Sequence, residues 1–133
     1  VQTAKHVQST AEGWAVLIGY SGTNFAELGI YIALFFLVPL MEELIYRGLL
    51  QHAFFKDSRF ALDLLLPSIL FALPHFSNFP SLLDIFVFAT VGIIFAGLTR
   101  YTKSIYPSYA VHVINNIVAT LPFLLTFLHR VFG

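Results

Sequence analysis

Charged side chains interrupt an otherwise apolar stretch of the sequence, and their spacing suggests a buried acid–base site. Glu42, Glu43 and Arg47 directly follow the apolar run at residues 30–40. A charge near the centre of a membrane span costs about 2.5 to 3.5 kcal/mol, so such charges are paired or face a hydrated cavity. Glu43 and Arg47 are four residues apart on one helix face, which predicts an ion pair. Glu42 points about 100 degrees away and stays available for chemistry.

Two further polar groups contain histidine. His75 ends the sequence Phe71-Ala-Leu-Pro-His at the close of an apolar run. A lone histidine in a membrane is more often a hydrogen-bonding contact between helices than a catalyst. His112 and Asn116 are four residues apart on one face of an apolar helix, where they either line a cavity or hold helices together. Asn115 points elsewhere.

These groups are expected at a similar depth in the membrane. Counted along a helix, Glu42, His75 and Asn116 each lie about 19 to 24 Å from the nearest basic residue of a connecting loop. His112 lies about 13 Å from such a residue, one helical turn nearer the loop than Asn116. Chance would scatter polar groups from three segments over many depths, so this agreement favours a common site.

Together these residue types supply the parts needed for peptide hydrolysis by water. Cleavage of an amide needs a base for the water, donors for the oxyanion and a proton for the leaving nitrogen. A buried carboxylate such as Glu42 is a competent base, and His75 can share the water and move its proton. His112 and the amide of Asn116 can donate to the oxyanion. The sequence has no Gly-x-Ser-x-Gly motif, no His-Glu-x-x-His motif and no cysteine, which excludes those nucleophile and zinc arrangements.

The composition predicts a membrane protein. Of 133 residues, 58% are hydrophobic and 11% are charged, whereas about a quarter of the residues of a soluble domain are charged. Fifteen Phe and six Tyr suit lipid-facing surfaces and interfacial belts. The formal net charge is zero, so no basic field is present to hold a nucleic acid. This composition disfavours the alternative of a very apolar soluble bundle.

Four apolar segments would position the polar groups, and they cover residues 25–55, 61–76, 82–98 and 105–128. The first and last exceed the roughly 20 residues of a membrane span, whereas the second is short and contains two prolines. Pro39 is the expected kink site in the first segment. We therefore predict an all-α fold, a polytopic transmembrane bundle of about four core helices at residues 24–130. A polar or interfacial segment at residues 1–23 would precede it.

The ordered trio of motifs resembles a known family. Glu-Glu-x-x-x-Arg (42–47), Phe-x-x-x-His (71–75) and His-x-x-x-Asn (112–116) look like the CAAX protease and bacteriocin-processing (CPBP, Abi-type) family of intramembrane glutamic endopeptidases. Each motif alone is weak, but the trio on successive apolar segments is specific, and the likeness covers roughly residues 30–120. No motif position departs from the family pattern. Family members usually carry further helices, so we expect this chain to be the C-terminal part of a larger bundle.

The resemblance implies six catalytic or supporting residues: Glu42, Glu43, Arg47, His75, His112 and Asn116. Glu42 and His75 would activate a water molecule. His112 and Asn116 would form the oxyanion site, and the remaining two residues would orient Glu42. No cofactor is implied: a Glu/His/His set can bind Zn²⁺, but the resemblance favours a metal-free mechanism.

The resemblance also implies where the protein acts and on what. The expected partners are the lipid bilayer and a membrane-associated peptide or protein substrate. The expected location is a multi-pass position in a bacterial cell membrane, with trimming of secreted peptides or self-immunity to bacteriocins as possible roles. A prenylated CAAX substrate would instead imply a eukaryotic source.

Other functions are compatible with the same residues. A non-catalytic immunity or scaffold protein could keep the family core, although a scaffold has no reason to keep three costly polar groups at one depth. A proton-relay subunit of a transporter would also use Glu and His inside a membrane. An alternative for the first group of residues is that Glu42 and Glu43 have no catalytic role and serve solely to pair with Arg47. Another is that this group lies in an interfacial helix.

Overall fold

The computed structural model describes residues 24–58, 61–75 and 81–133, and within these ranges the chain is helical apart from its connections. The polar or interfacial segment predicted for residues 1–23 lies outside the described residues. No β-strand occurs in the described ranges. Helices form wherever the sequence has an apolar segment, so the predicted all-α fold class is confirmed.

Helix α1 is continuous but changes its hydrogen-bonding pattern along its length. Its successive segments are α-helical Asn24–Ile32, π-helical Ala33–Leu37, α-helical Val38–Glu43 and π-helical Leu44–Phe54. Proline has no N–H, and its ring clashes with the carbonyl four residues earlier in an α-helix. The first π-helical segment ends just before Pro39, and the N–H of Val38 donates to the carbonyl of Ala33, five residues back. The interruption expected at Pro39 thus takes the form of a widened turn.

Three more helices follow α1. Helix α2 is Leu62–Ala72, continued by a 3₁₀ turn at Leu73–His75; α3 is Leu82–Thr102 and α4 is Tyr106–Phe132. Ser81 caps the start of α3 through a reciprocal pair of hydrogen bonds with Asp84. The helical stretch from Phe25 to Phe54 and helices α3 and α4 are long and apolar enough to cross a membrane, whereas α2 with its turn is shorter. A polytopic helical membrane protein is the fold that the sequence predicts.

The distribution of side chains is that of a membrane protein, with apolar groups outside and polar groups inside. Large apolar side chains are exposed, among them Phe25 at 88% and Leu82 at 87%. The buried polar and charged residues are Glu43, Arg47, Gln51, Ser68, Thr99, Ser108 and His112. An exposed apolar surface suits contact with lipid, and the buried polar groups must find their partners within the protein.

The described chain divides into two compact units. One contains the described chain up to Val38 together with Val113–Gly133, and the other contains Pro39–His112. In the first unit, the rings of Tyr31 and Phe127 lie 5.4 Å apart and Arg130 pairs with Glu27. In the second unit, the core is aromatic.

Phe71, which is 2% exposed, lies at the centre of the Pro39–His112 unit. Its ring contacts those of Tyr46 and Phe95 at 5.6 and 5.9 Å between centroids. Nearby, α2 and α3 approach so closely that a Cβ atom on Gly92 would lie 3.0 Å from the Cα of Ser68. Glycine therefore fits this contact without strain, whereas a Cβ atom would require Ser68 to move by a few tenths of an ångström.

Candidate active site

Five of the six predicted site residues lie in the Pro39–His112 unit. The two glutamates end the α-helical segment Val38–Glu43 of α1, and Arg47 follows in the π-helical segment. His75 ends the 3₁₀ turn after α2, and His112 lies in the second turn of α4. Residues from three separate helical segments thus meet within one unit.

The Glu43–Arg47 ion pair predicted from the spacing is present and fully buried. Nη1 of Arg47 lies 3.3 Å from Oε1 of Glu43, and both side chains are 0% exposed. Nη2 of Arg47 donates to the carbonyl oxygen of Gly92 at 3.1 Å. The guanidinium also lies over the ring of Phe71, 4.7 Å from its centroid. A buried charge needs a countercharge of this kind, since leaving it unpaired costs about 3 to 5 kcal/mol.

The carboxylate of Glu43 also accepts hydrogen bonds from two side chains of α4. Its Oε1 accepts from Nδ1 of His112 at 2.9 Å, and its Oε2 accepts from the hydroxyl of Ser108 at 2.5 Å. Because Glu43 is the ion-pair partner of Arg47 and its Oε1 can only accept, Nδ1 of His112 must carry the hydrogen. The ring of His112 is thereby fixed, with Nε2 on the opposite side.

Glu42 lies between the two histidines, and each of its oxygens faces one of them. Oε2 is 3.3 Å from Nε2 of His112, and Oε1 is 4.0 Å from Nε2 of His75. The side chains of Glu42 and His75 are 20% and 28% exposed, whereas that of His112 is 3% exposed. The side of the cluster between Glu42 and His75 is therefore the side that water or a substrate can reach.

The ring of His75 is held by backbone and aromatic contacts. Its Nδ1 lies 2.9 Å from the carbonyl oxygen of Phe71, four residues earlier. A carbonyl oxygen can only accept, so Nδ1 carries the hydrogen and Nε2 of the neutral ring is an acceptor. The ring stacks on Phe88 at 4.7 Å and contacts Phe71 at 4.8 Å between centroids. This arrangement presents a basic nitrogen to the gap beside Glu42.

Asn116 belongs to the other unit, and its described contact is with α1. Its Nδ2 donates to the carbonyl oxygen of Leu34 at 3.0 Å. An amide nitrogen has two hydrogens, so this bond leaves one for another acceptor. The role expected for Asn116 at an oxyanion stays a prediction.

Four buried polar residues in the described part of the same unit were not predicted: Gln51, Ser68, Thr99 and Ser108. Two of them, Ser108 and Gln51, donate to another helix. Ser108, 0% exposed, bonds Glu43, and Gln51, 5% exposed, donates from Nε2 to the carbonyl oxygen of Ala96 at 2.8 Å. Both Ser108 and Gln51 could have been chosen from their spacing in the sequence. Positions 43, 47 and 51 form a polar stripe at helical spacing, and Ser108 lies four residues before His112 on the same face of its helix.

The cluster is built from hydrogen bonds and ion pairs between side chains. Within the described ranges, no group of three His, Cys, Asp or Glu residues is arranged to hold a metal ion. Each imidazole uses Nδ1 in a hydrogen bond, to Glu43 or to the Phe71 carbonyl, and its Nε2 faces Glu42. A carboxylate beside two imidazoles is chemically able to act as a general base.

Comparisons with known proteins bear on this cluster. A family model described as type II CAAX prenyl endopeptidase Rce1-like matches residues 24–118, which is more than half of the chain and contains all six predicted site residues. Searches of curated proteins and of solved structures found no match. The chain belongs to the Rce1-like family of type II CAAX prenyl endopeptidases.

Proposed function

We propose that this protein is an intramembrane endopeptidase that hydrolyses a peptide bond of a membrane-associated protein or peptide, with water activated by Glu42 and His75. The observation that supports it most is the arrangement of Glu42, whose two oxygens face the Nε2 atoms of two differently held histidines. The family match supports the same reaction class. The chemistry we propose needs no metal ion.

The proposed water binds between Glu42 and His75. Their facing atoms are 4.0 Å apart, too far for a direct hydrogen bond, but a water could lie about 2.8 Å from both. Its oxygen would attack the carbonyl carbon of the substrate while its proton passes to Glu42 or His75. The C–N bond then breaks, and the same proton goes to the leaving nitrogen.

The developing oxyanion needs donors. Nε2 of His112 can supply one when the ring is doubly protonated, since Nδ1 already donates to Glu43. Asn116, one helical turn further along α4, is the second proposed donor, on the strength of the family motif. Glu43 and Arg47 do not touch the reacting atoms in this scheme; they hold His112 and thereby Glu42.

The test is cleavage of a labelled membrane-adjacent peptide by the full-length protein in lipid. Glu42→Gln and His75→Gln should each lower kcat by about 10² to 10⁴-fold, the range lost with a general base. Glu27→Gln is a matched control, because the side chain of Glu27 is 19% exposed, close to the 20% of Glu42, and lies in the other unit.

Cleavage at the wild-type rate in both Glu42→Gln and His75→Gln would refute the assigned chemistry. Proton flux through the wild-type protein without any cleavage would favour the proton-relay alternative. Equal losses in Glu27→Gln and Glu42→Gln would mean that the carboxylates act on folding and not on the reaction.

A further inference from the structure

Ser108 lies at the start of α4 and is fully buried, although no sequence motif includes it. Its relative exposure is 0%, and its hydroxyl donates to Oε2 of Glu43 across 65 positions of the chain. Most hydroxyls that lie within helices of the described chain bond differently. They donate to the carbonyl four residues earlier in their own helix, as Ser68, Thr90, Thr102, Thr120 and Thr126 do.

The position of Ser108 in the helix explains the difference. It is the third residue of α4, so the residue four positions earlier, Ser104, precedes the helix. The hydroxyl therefore points to another element, and it reaches the carboxylate of α1 at 2.5 Å. Hydrogen bonds to ionised acceptors are roughly twice as strong as neutral ones, so this contact holds Glu43 firmly.

The two oxygens of Glu43 have separate partners. Oε1 pairs with Arg47 and accepts from Nδ1 of His112, and Oε2 accepts from the hydroxyl of Ser108. If the Ser108 hydroxyl were removed, Oε2 would lose its hydrogen-bond donor and the carboxylate could rotate about its terminal bond, where torsion is soft. Rotation would move Oε1 away from Nδ1 of His112.

We propose that Ser108 is a positioning residue that fixes the tautomer and orientation of His112 through Glu43. A carboxylate that accepts from Nδ1 of a histidine leaves Nε2 of that ring facing the reacting groups. A hydrogen-bond donor to the other oxygen of the carboxylate holds the carboxylate in place and so affects its bond with the histidine. In this protein, the fixed Nε2 faces Oε2 of Glu42 at 3.3 Å. Ser108 thus acts on the base of the reaction through two intermediaries, Glu43 and His112. Its catalytic consequence rests on the proposed function, whereas its effect on His112 does not.

The direct test is nitrogen-15 NMR of the imidazoles in the full-length protein in lipid, with His112 assigned by the signals lost in His112→Gln. The wild type should show one set of His112 signals with Nδ1 protonated. Ser108→Ala should broaden or split that set as a second orientation becomes populated. Ser108→Thr keeps the hydroxyl and should keep the wild-type pattern.

Ser68→Ala is the matched control, because Ser68 is 1% exposed and bonds only within its own helix. In cleavage assays Ser108→Ala should lower kcat by about 10- to 100-fold with KM unchanged, as the loss of an outer partner usually does. Ser68→Ala should keep both kcat and the His112 signals.

Wild-type His112 signals in Ser108→Ala would overturn the proposal, whatever happens to the rate. An equal disturbance of His112 in Ser68→Ala would also overturn it, because the effect would then be one of packing. If the wild type cleaves no peptide, the proposed function fails, but the His112 signals still decide whether Ser108 positions this ring.

Discussion

The amide of Asn116 donates to the carbonyl oxygen of Leu34 at 3.0 Å, within the π-helical segment of α1. The N–H of Val38, its partner in a regular α-helix, is bonded to Ala33. In the five-residue register of this π-helical segment, the donor to Leu34 would be residue 39, and Pro39 has no N–H. Asn116 therefore replaces a hydrogen bond that the proline removes, which gives it a structural role beside any catalytic one.

This relationship predicts that Asn116 and Pro39 are energetically coupled. Asn116→Ala should lower the free energy of unfolding by about 1 to 3 kcal/mol, because a carbonyl loses its donor. In a Pro39→Ala background the restored N–H can return α1 to regular bonding, so the same Asn116 change should cost less. The check is a double-mutant cycle of unfolding in detergent. Asn115→Ala, at an exposed neighbouring position, should have little effect, and strictly additive costs would contradict the coupling.

The two adjacent glutamates are expected to differ in their effect on stability. Glu43→Gln leaves Arg47 buried without its countercharge, which should cost about 3 to 5 kcal/mol. Glu42→Gln should cost much less, since the side chain of Glu42 is partly exposed and pairs with histidines. Replacing both members of the pair, as Glu43→Gln with Arg47→Met, should recover part of the loss. Thermal unfolding of the four proteins measures this, and equal losses for the two glutamates would be inconsistent with the ion pair.

Peptide cleavage is expected to be insensitive to metal removal. The acid–base roles proposed for Glu42 and His75 use a water that these two side chains hold without a Lewis acid. The rate should therefore be unchanged after exhaustive dialysis against a chelator. Activity that falls on dialysis and returns with Zn²⁺ would replace the metal-free mechanism with a Lewis-acid one.

Local patterns in the sequence were sufficient for the helices and for part of the site. Apolar runs mark where α1 to α4 lie, because a segment in lipid must form its backbone hydrogen bonds internally, as a helix does, and must present apolar side chains. The Glu43–Arg47 pair was also predictable, since four residues along a helix always share a face. Such relationships depend on geometry within one element.

The contacts that complete the site could not be predicted in the same way. Ser108 bonds Glu43 across 65 positions and Arg47 bonds the carbonyl of Gly92 across 45 positions. The sequence places Ser108 on the same helix face as His112, but it does not show that the hydroxyl bonds Glu43. The Gly92 carbonyl belongs to the backbone, so no residue type marks it as a partner of Arg47. These contacts follow from how helices pack, which a single sequence does not reveal.

The close packing at Gly92 can be tested by comparing Gly92→Ala with Gly97→Ala, because Gly97 lies in the same helix, α3, but faces open space. A Cβ atom at Gly92 would lie 3.0 Å from Cα, Cβ and O of Ser68, whereas one at Gly97 would meet nothing within 4 Å. Alanine is favoured over glycine in a helix by about 1 kcal/mol, so Gly97→Ala should raise the melting temperature slightly. At Gly92 the same gain is opposed by overpacking worth about 1 to 3 kcal/mol.

Gly92→Ala should therefore lower the melting temperature, and it should also disturb the site. The Gly92 carbonyl accepts from Arg47, so a shift of α3 away from α2 moves a partner of the guanidinium that holds Glu43. We expect kcat to fall in Gly92→Ala and to be unchanged in Gly97→Ala, measured at a temperature where both are folded. If the two variants have the same stability and the same rate, then the close approach of α2 and α3 at Ser68 does not support the proposed catalytic residues.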